Sequence, residues 1–119
     1  MKWLAVLLLP CAAWAADAER GRAIATRGGE AGCILCHAIP GAERPAGNLG
    51  PSLAGVAKRL DAGELKARLV DPSRINPRTA MPAYGRVDGL RDVAAQYRGR
   101  PLLTSDEIDD VVAFLLTLK

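Results

Sequence analysis

The sequence predicts an all-α domain, on three observations. Two stretches open with a residue able to cap a helix and a glutamate three positions on, Asp61 with Glu64 and Thr104 with Glu107, the reciprocal pairing that starts helices. Behind the second of these, Ile108, Val111, Val112, Leu115 and Leu116 recur at i, i+3, i+4, i+7 and i+8, which gathers them on one helical face. No segment alternates convincingly with a period of two, so no half-buried strand is expected.

At 119 residues the chain has the length of one domain. Residues 1–15 read as a secretory signal peptide: Lys2 gives the positive start, residues 4–9 a short apolar run, and Ala13-Trp14-Ala15 a small-x-small cleavage site ahead of Ala16. The run is too short to span a bilayer, so no membrane span is expected, and the domain is taken as residues 16–119 in the periplasm. Cys11 admits a lipoprotein reading, which Pro10 directly before it fits poorly. Removing the leader removes one lysine and no acid, so the formal charge falls from +3 to +2. That small charge, with no basic cluster interleaved with aromatics, argues against nucleic-acid binding. Both tryptophans lie in the leader, and a small core poor in aromatics would be well served by a large flat apolar cofactor.

The first helix is expected over residues 18–27, with Gly21, Ile24, Ala25 and Gly28 on one face and Gly28-Gly29 ending it. Residues 40–51 are rich in Gly and Pro and read as loop. The helix begun at Asp61 presents Leu65, Leu69 and Val70 and stops at Asp71-Pro72. Pro77, Pro82 and Gly85 break residues 73–86 into an ordered loop, and residues 88–100 have room for a short helical turn. Phe114 and Leu118 widen the stripe of the last helix, so that helix is expected to bury against more than one surface.

The chemistry lies in Cys33-Ile34-Leu35-Cys36-His37, the spacing of covalent haem attachment. Two thiols three positions apart can each add across a vinyl group on one porphyrin edge, and the next residue brings an imidazole to the iron. A disulfide pair or half a zinc site are the other readings of two such cysteines. Zinc would need two further ligands, and His37 is the only histidine. A redox dithiol would sit at a strand-to-helix junction, and no strand precedes this one. Cys33 and Cys36 are therefore expected to attach one haem c, with His37 as an axial ligand.

His37 then needs an acceptor for its other ring nitrogen. The Pro51 carbonyl, in a stiff Gly-Pro turn, is one candidate; alternatively Pro51 only shapes the loop. Met81 is the sole methionine after the leader and stands in a loop as Ala80-Met81-Pro82. A methionine is often core filler, but this setting suits a thioether as the second axial ligand, which raises the potential relative to a second imidazole. Lys58, Lys66 or an open position are the alternatives. Arg74, Arg78, Arg86, Arg91, Arg98 and Arg100 cluster around Met81, as a solvated surface or as partners for haem propionates or another protein. No Ser-His or free Cys-His pair is available for catalysis, so the chemistry belongs to the cofactor.

Taken together, Cys-x-x-Cys-His near the start, Gly50-Pro51-x-Leu53, a methionine loop and a capped last helix resemble the class I cytochromes c, over essentially all of residues 16–119. The resemblance implies an all-α class I cytochrome c-like fold with N- and C-terminal helices crossing around one covalently bound haem. Gly21 would permit close approach and Phe114 would pack at the crossing. The gap between Gly21 and Cys33 is longer than in short cytochromes, which bears on the crossing rather than on the haem.

A narrower resemblance, to the SoxX family, rests on Gly47-Asn48-Leu49-Gly50-Pro51 after Cys-His-Ala-Ile-Pro-Gly and on Asn76-Pro77-x-Thr79-x-Met81-Pro82. Asp88-Gly89-Leu90 with Tyr97-Arg98-Gly99-Arg100-Pro101, and the ending Asp109-Asp110-Val111-Val112-Ala113-Phe114-Leu115, are similar to it as well. This resemblance implies the small cytochrome subunit of a SoxAX heterodimer. A SoxA-like partner would join thiosulfate oxidatively to a cysteine of a SoxYZ-like carrier. The SoxX-like chain would accept the electrons and pass them to a downstream cytochrome. A free electron shuttle and a gas-sensing haem protein are the other classes; Met81 argues against the sensor and the unusual loops against a generic shuttle.

Overall fold

The computed structural model describes residues 15–119. The expected leader, with Cys11 and both tryptophans, lies outside the described residues apart from Ala15. Four α-helices follow one another: α1 (Ala18–Thr26), α2 (Val56–Arg59), α3 (Ala62–Val70) and α4 (Ser105–Leu115). Short 3₁₀ turns stand at Cys33–Leu35, Pro72–Arg74 and Ala95–Tyr97. Among the described residues there is no strand, and no helix is long and apolar enough to cross a membrane.

The helix starts follow from side-chain chemistry. The Asp17 carboxylate caps α1 by accepting from the Glu19 and Arg20 amides at 2.8 and 3.0 Å. Asp61 and Glu64 form a reciprocal capping box on α3, and Thr104 and Glu107 form one on α4. Each cap satisfies amides that the helix itself leaves unpaired and contributes about 1 kcal/mol.

The long contact of the fold is the crossing of α1 with α4. Gly21 makes it possible: a β-carbon there would run into the Asp110 carbonyl and stand 2.9 Å from Phe114 Cβ. Ile24 and Ala25 from α1 meet Ile108, Val111, Phe114 and Leu115 from α4 in one core. Leu65 and Leu69 of α3 cover another side of α4. A Lys66–Asp109 ion pair at 2.7 Å closes that second interface at the surface.

A buried acid locks the crossing. Asp110 is 2% exposed. One of its carboxylate oxygens accepts from the Asp17 amide at 2.7 Å and from Arg20 Nη2 at 3.2 Å, and the other accepts from Arg20 Nε at 2.9 Å. The fork of guanidinium donors meets the carboxylate charge on charge, which offsets the cost of burying it. This guanidinium is itself held above its usual range, first by the hydrogen bond to Asp110.

Three expectations need correction. The first helix ends at Thr26, with Arg27 already extended, and Gly28 is exposed rather than on the packed face. Val70, taken as part of the apolar face of α3, is 37% exposed; it is the last residue of the helix and borders an open cleft beside Asp71 and Arg86. Residues 56–59 form a helix within a stretch to which no helix was assigned. It opens at Gly55 in a left-handed conformation (φ 68°) and is tied down by an Ala57 amide donating to the Leu118 carbonyl at 3.0 Å. Neither is a side-chain capping signal.

Candidate functional site

Cys33 opens a 3₁₀ turn in which the Cys36 and His37 amides both donate to the Cys33 carbonyl, at 3.1 and 2.9 Å. The tight turn brings both thiols and the imidazole to one side of a short segment. Residues 47–53 then return along it: the Gly47 amide donates to Ile34 O, Gly50 to Cys36 O and Leu53 to Ala38 O, all at 2.8–2.9 Å. Backbone pairing of this kind fixes the loop without regard to side chains.

That return leg sets the histidine. The Gly50 backbone lies flat against the ring, so that a β-carbon would come within 2.7 Å of Nδ1 and 2.8 Å of Nε2. Next to it the Pro51 carbonyl oxygen stands 2.6 Å from His37 Nδ1. A carbonyl can only accept, so Nδ1 is the donor, which in the neutral tautomer leaves the lone pair on Nε2. The ring is thereby held in the tautomer and orientation a metal requires.

Cys33, Cys36, His37, Gly50 and Pro51 form one wall of a cavity of about 320 Å³; Met81, Arg78 and Tyr84 line it as well. Met81 is half-buried. Its amide donates to the Thr79 hydroxyl at 3.1 Å, and the Thr79 amide donates to Asn76 O at 3.0 Å, which shapes the loop that carries it. Lys58 and Lys66 do not line this cavity, and Lys66 is engaged with Asp109.

Both thiols are free. Burial pushes Cys33 up to about 11, so as a free side chain it is a neutral thiol. Tyr84 is pushed up to about 12, first by burial and then by the negative charge Cys33 and Cys36 would carry. With the Cys33 thiol and the Tyr84 phenol both pushed up and a thioether beside them, this wall is suited to a largely apolar macrocycle. Arg78 at the same cavity offers a cation for an acidic substituent.

These residues fit a covalently attached haem on geometry alone: paired thiols in one turn, an imidazole nitrogen with a free lone pair, and a thioether on the same cavity. Tyr84 was not singled out in the sequence. The one signal available was its place three residues after Met81 in a chain with few aromatics. Of the clustered arginines, Arg78 reaches the cavity, Arg74 and Arg86 pair with Asp71 at 3.6 and 3.7 Å, and Arg100 lies over the Tyr97 ring at 5.4 Å.

Comparison with known proteins agrees with this geometry. No curated protein sequence matches the chain significantly. Among solved structures it is similar to SoxXA from P. pantotrophus, with 32% identity and a TM-score of 0.77 over 87% of this chain and 82% of that one. The family model described as "Cytochrome c" matches residues 18–119, and with nearly the whole described domain inside that match, the chain belongs to the cytochrome c family and carries haem c as its covalent cofactor.

Proposed function

We propose that this chain is the electron-accepting, SoxX-like subunit of a thiosulfate-oxidising complex. The observation that carries the reading is the likeness to SoxXA, at 32% identity along 87% of the chain. In this reading residues 1–15 are a cleaved leader, residues 16–119 the monohaem domain, and the site of action the periplasm. A haem in the cavity supplies reversible one-electron transfer. Cys33 and Cys36 hold it covalently, His37 and Met81 ligate its iron, and Pro51 holds the His37 tautomer by accepting the Nδ1 proton.

His37 and Met81 line the same cavity; with both ligating the iron, no position would remain there for substrate. The sulfur chemistry therefore falls to a SoxA-like partner, which joins thiosulfate to a cysteine of a SoxYZ-like carrier. The complex is then an L-cysteine S-thiosulfotransferase, and this chain alone is its electron carrier, handing electrons on to a downstream cytochrome. The surface supports a bound role. Leu35, between the two cysteines and outside the cavity lining, is 54% exposed. A large apolar side chain beside a redox site favours a partner that covers it. A fixed partner also removes the need for long-range steering, for which a charge of +2 after the leader gives little.

The test is reduction of the haem-loaded chain by thiosulfate, with and without a SoxA-like subunit and the carrier protein. Reduction that requires the partner, together with co-elution of the two chains, is the expected result. A chain that stays monomeric beside the partner is a free shuttle instead, and one that binds carbon monoxide readily is a sensor.

A further inference from the structure

The loop that carries Met81 leaves the end of α3 and returns to it. Its outgoing leg is tied by Asp71, whose carboxylate accepts from both the amide and the hydroxyl of Ser73. Its returning leg is tied by the Tyr84 amide donating to Leu69 O at 3.0 Å and the Gly85 amide donating to Val70 O at 3.1 Å. One side chain joins the two legs: Arg86 Nη1 stands 3.7 Å from Asp71 Oδ2. Arg86 is also fixed from behind, donating from Nε to Asp88 O at 2.7 Å and from Nη2 to Gly89 O at 3.1 Å. Asp71 is 7% exposed. Its carboxyl is held below the usual range, first by the Ser73 hydroxyl and then by the Ser73 amide and the charges of Arg86 and Arg74, against the opposing effect of burial.

We infer that Asp71 and Arg86 form a clasp at the base of this loop that keeps Met81 seated in the cavity. They are positioning residues, since neither lines the cavity. Closing the base of a loop restricts the excursions of everything on it. Without the clasp the outgoing leg is free to swing on the Pro72–Arg74 turn, and Met81 goes with it. Arg74, whose side chain is 87% exposed, adds little, because an ion pair so open to water is screened. The inference rests on the reading of Met81 as an iron ligand.

The experiment uses the full haem-loaded chain and added imidazole, which enters the ferric iron's coordination shell only when Met81 leaves it. Arg86→Gln should accelerate imidazole binding about two- to five-fold, the scale of one ion pair of up to about 1 kcal/mol, and Arg86→Lys, which keeps the charge, should recover part of the wild-type rate. Asp71→Asn should accelerate binding at least as much. Lys66→Ala, which breaks the Lys66–Asp109 pair between α3 and α4 and leaves Asp71 and Arg86 paired, should lower the melting temperature and leave the rate unchanged. Rates within two-fold of wild type in both Arg86→Gln and Asp71→Asn overturn the clasp, as does equal acceleration by Lys66→Ala. Should Asp71→Asn fail to fold, the Arg86 pair of variants decides alone. Failure of Met81 as ligand is separately visible: the wild-type ferric spectrum would then lack its near-infrared sulfur-to-iron band, whereas failure of the clasp leaves that band intact.

Discussion

Gly50 packs directly on the His37 imidazole with no room between them: any β-carbon at position 50 would overlap the ring. Replacing Gly50 with alanine must therefore move either the ring or the return leg that brings Pro51 to Nδ1. The expected outcome is a haem-loaded Gly50→Ala protein with a substantial high-spin ferric fraction at neutral pH, read in its visible spectrum. A fully low-spin spectrum identical to wild type would show that the ring tolerates the displacement.

Covalent attachment is expected through both cysteines of the 3₁₀ turn. The protein should retain its haem stain on a denaturing gel, and the double change Cys33→Ala and Cys36→Ala should abolish it. Haem extracted from wild type by acid–acetone would rule the attachment out.

Met81→Ala should remove the near-infrared sulfur-to-iron band and lower the reduction potential, because loss of a soft neutral ligand removes a preference for Fe(II). An unchanged band would assign the sixth position to another group.

The α1–α4 crossing should be sensitive to single atoms. Gly21→Ala forces a methyl against the Asp110 carbonyl and Phe114 and should cost about 1–3 kcal/mol, the usual range for overpacking. Asp110→Asn keeps the shape but loses the charge that Arg20 and the Asp17 amide face, and should cost about 1–2 kcal/mol. Chemical denaturation of the two variants measures both.

Asp71 gives the stability a sign with pH. Its folded-state value is depressed, so its contribution is fully present above the ordinary carboxylate value of about 3.9 and is lost as pH falls through the folded value. Asp71→Asn lacks that contribution at every pH. The difference in melting temperature between wild type and Asp71→Asn should be widest near neutrality and shrink on acidification below about pH 4. A constant difference down to pH 2 would contradict it.

The helices were legible where their signals are local. Asp61 with Glu64 and Thr104 with Glu107 announce α3 and α4 because capping is settled within four residues. That Cys33, Cys36 and His37 come to one cavity was legible for the same reason, since they stand within five residues of one another. What stayed hidden depends on chain segments far apart in sequence. Asp110 reads as one more acid midway along an acidic helix; only the approach of Asp17 and Arg20, about 90 positions earlier, gives it partners that suit burial. The seating of His37 against Gly50 depends on backbone pairing between residues 47–53 and 34–38, which leaves no mark on residue type beyond the small size of the glycine. The partial exposure of Val70 reflects where α3 ends, beside an open cleft, which periodicity does not encode.

The Asp17–Asp110 bond spans 93 positions of sequence, and that separation imposes a timetable. Cys33 lies at 7% exposure in a core whose other half comes from α4. A chain emerging from its N-terminal side presents Cys33 and Cys36 long before residues 105–115 exist to cover them. Joining segments so distant costs loop-closure entropy before the contact rewards it, which slows folding. The Cys33 thiol is most open in that interval, on a nascent polypeptide; once α1 and α4 have met, it is approached only from the cavity it lines.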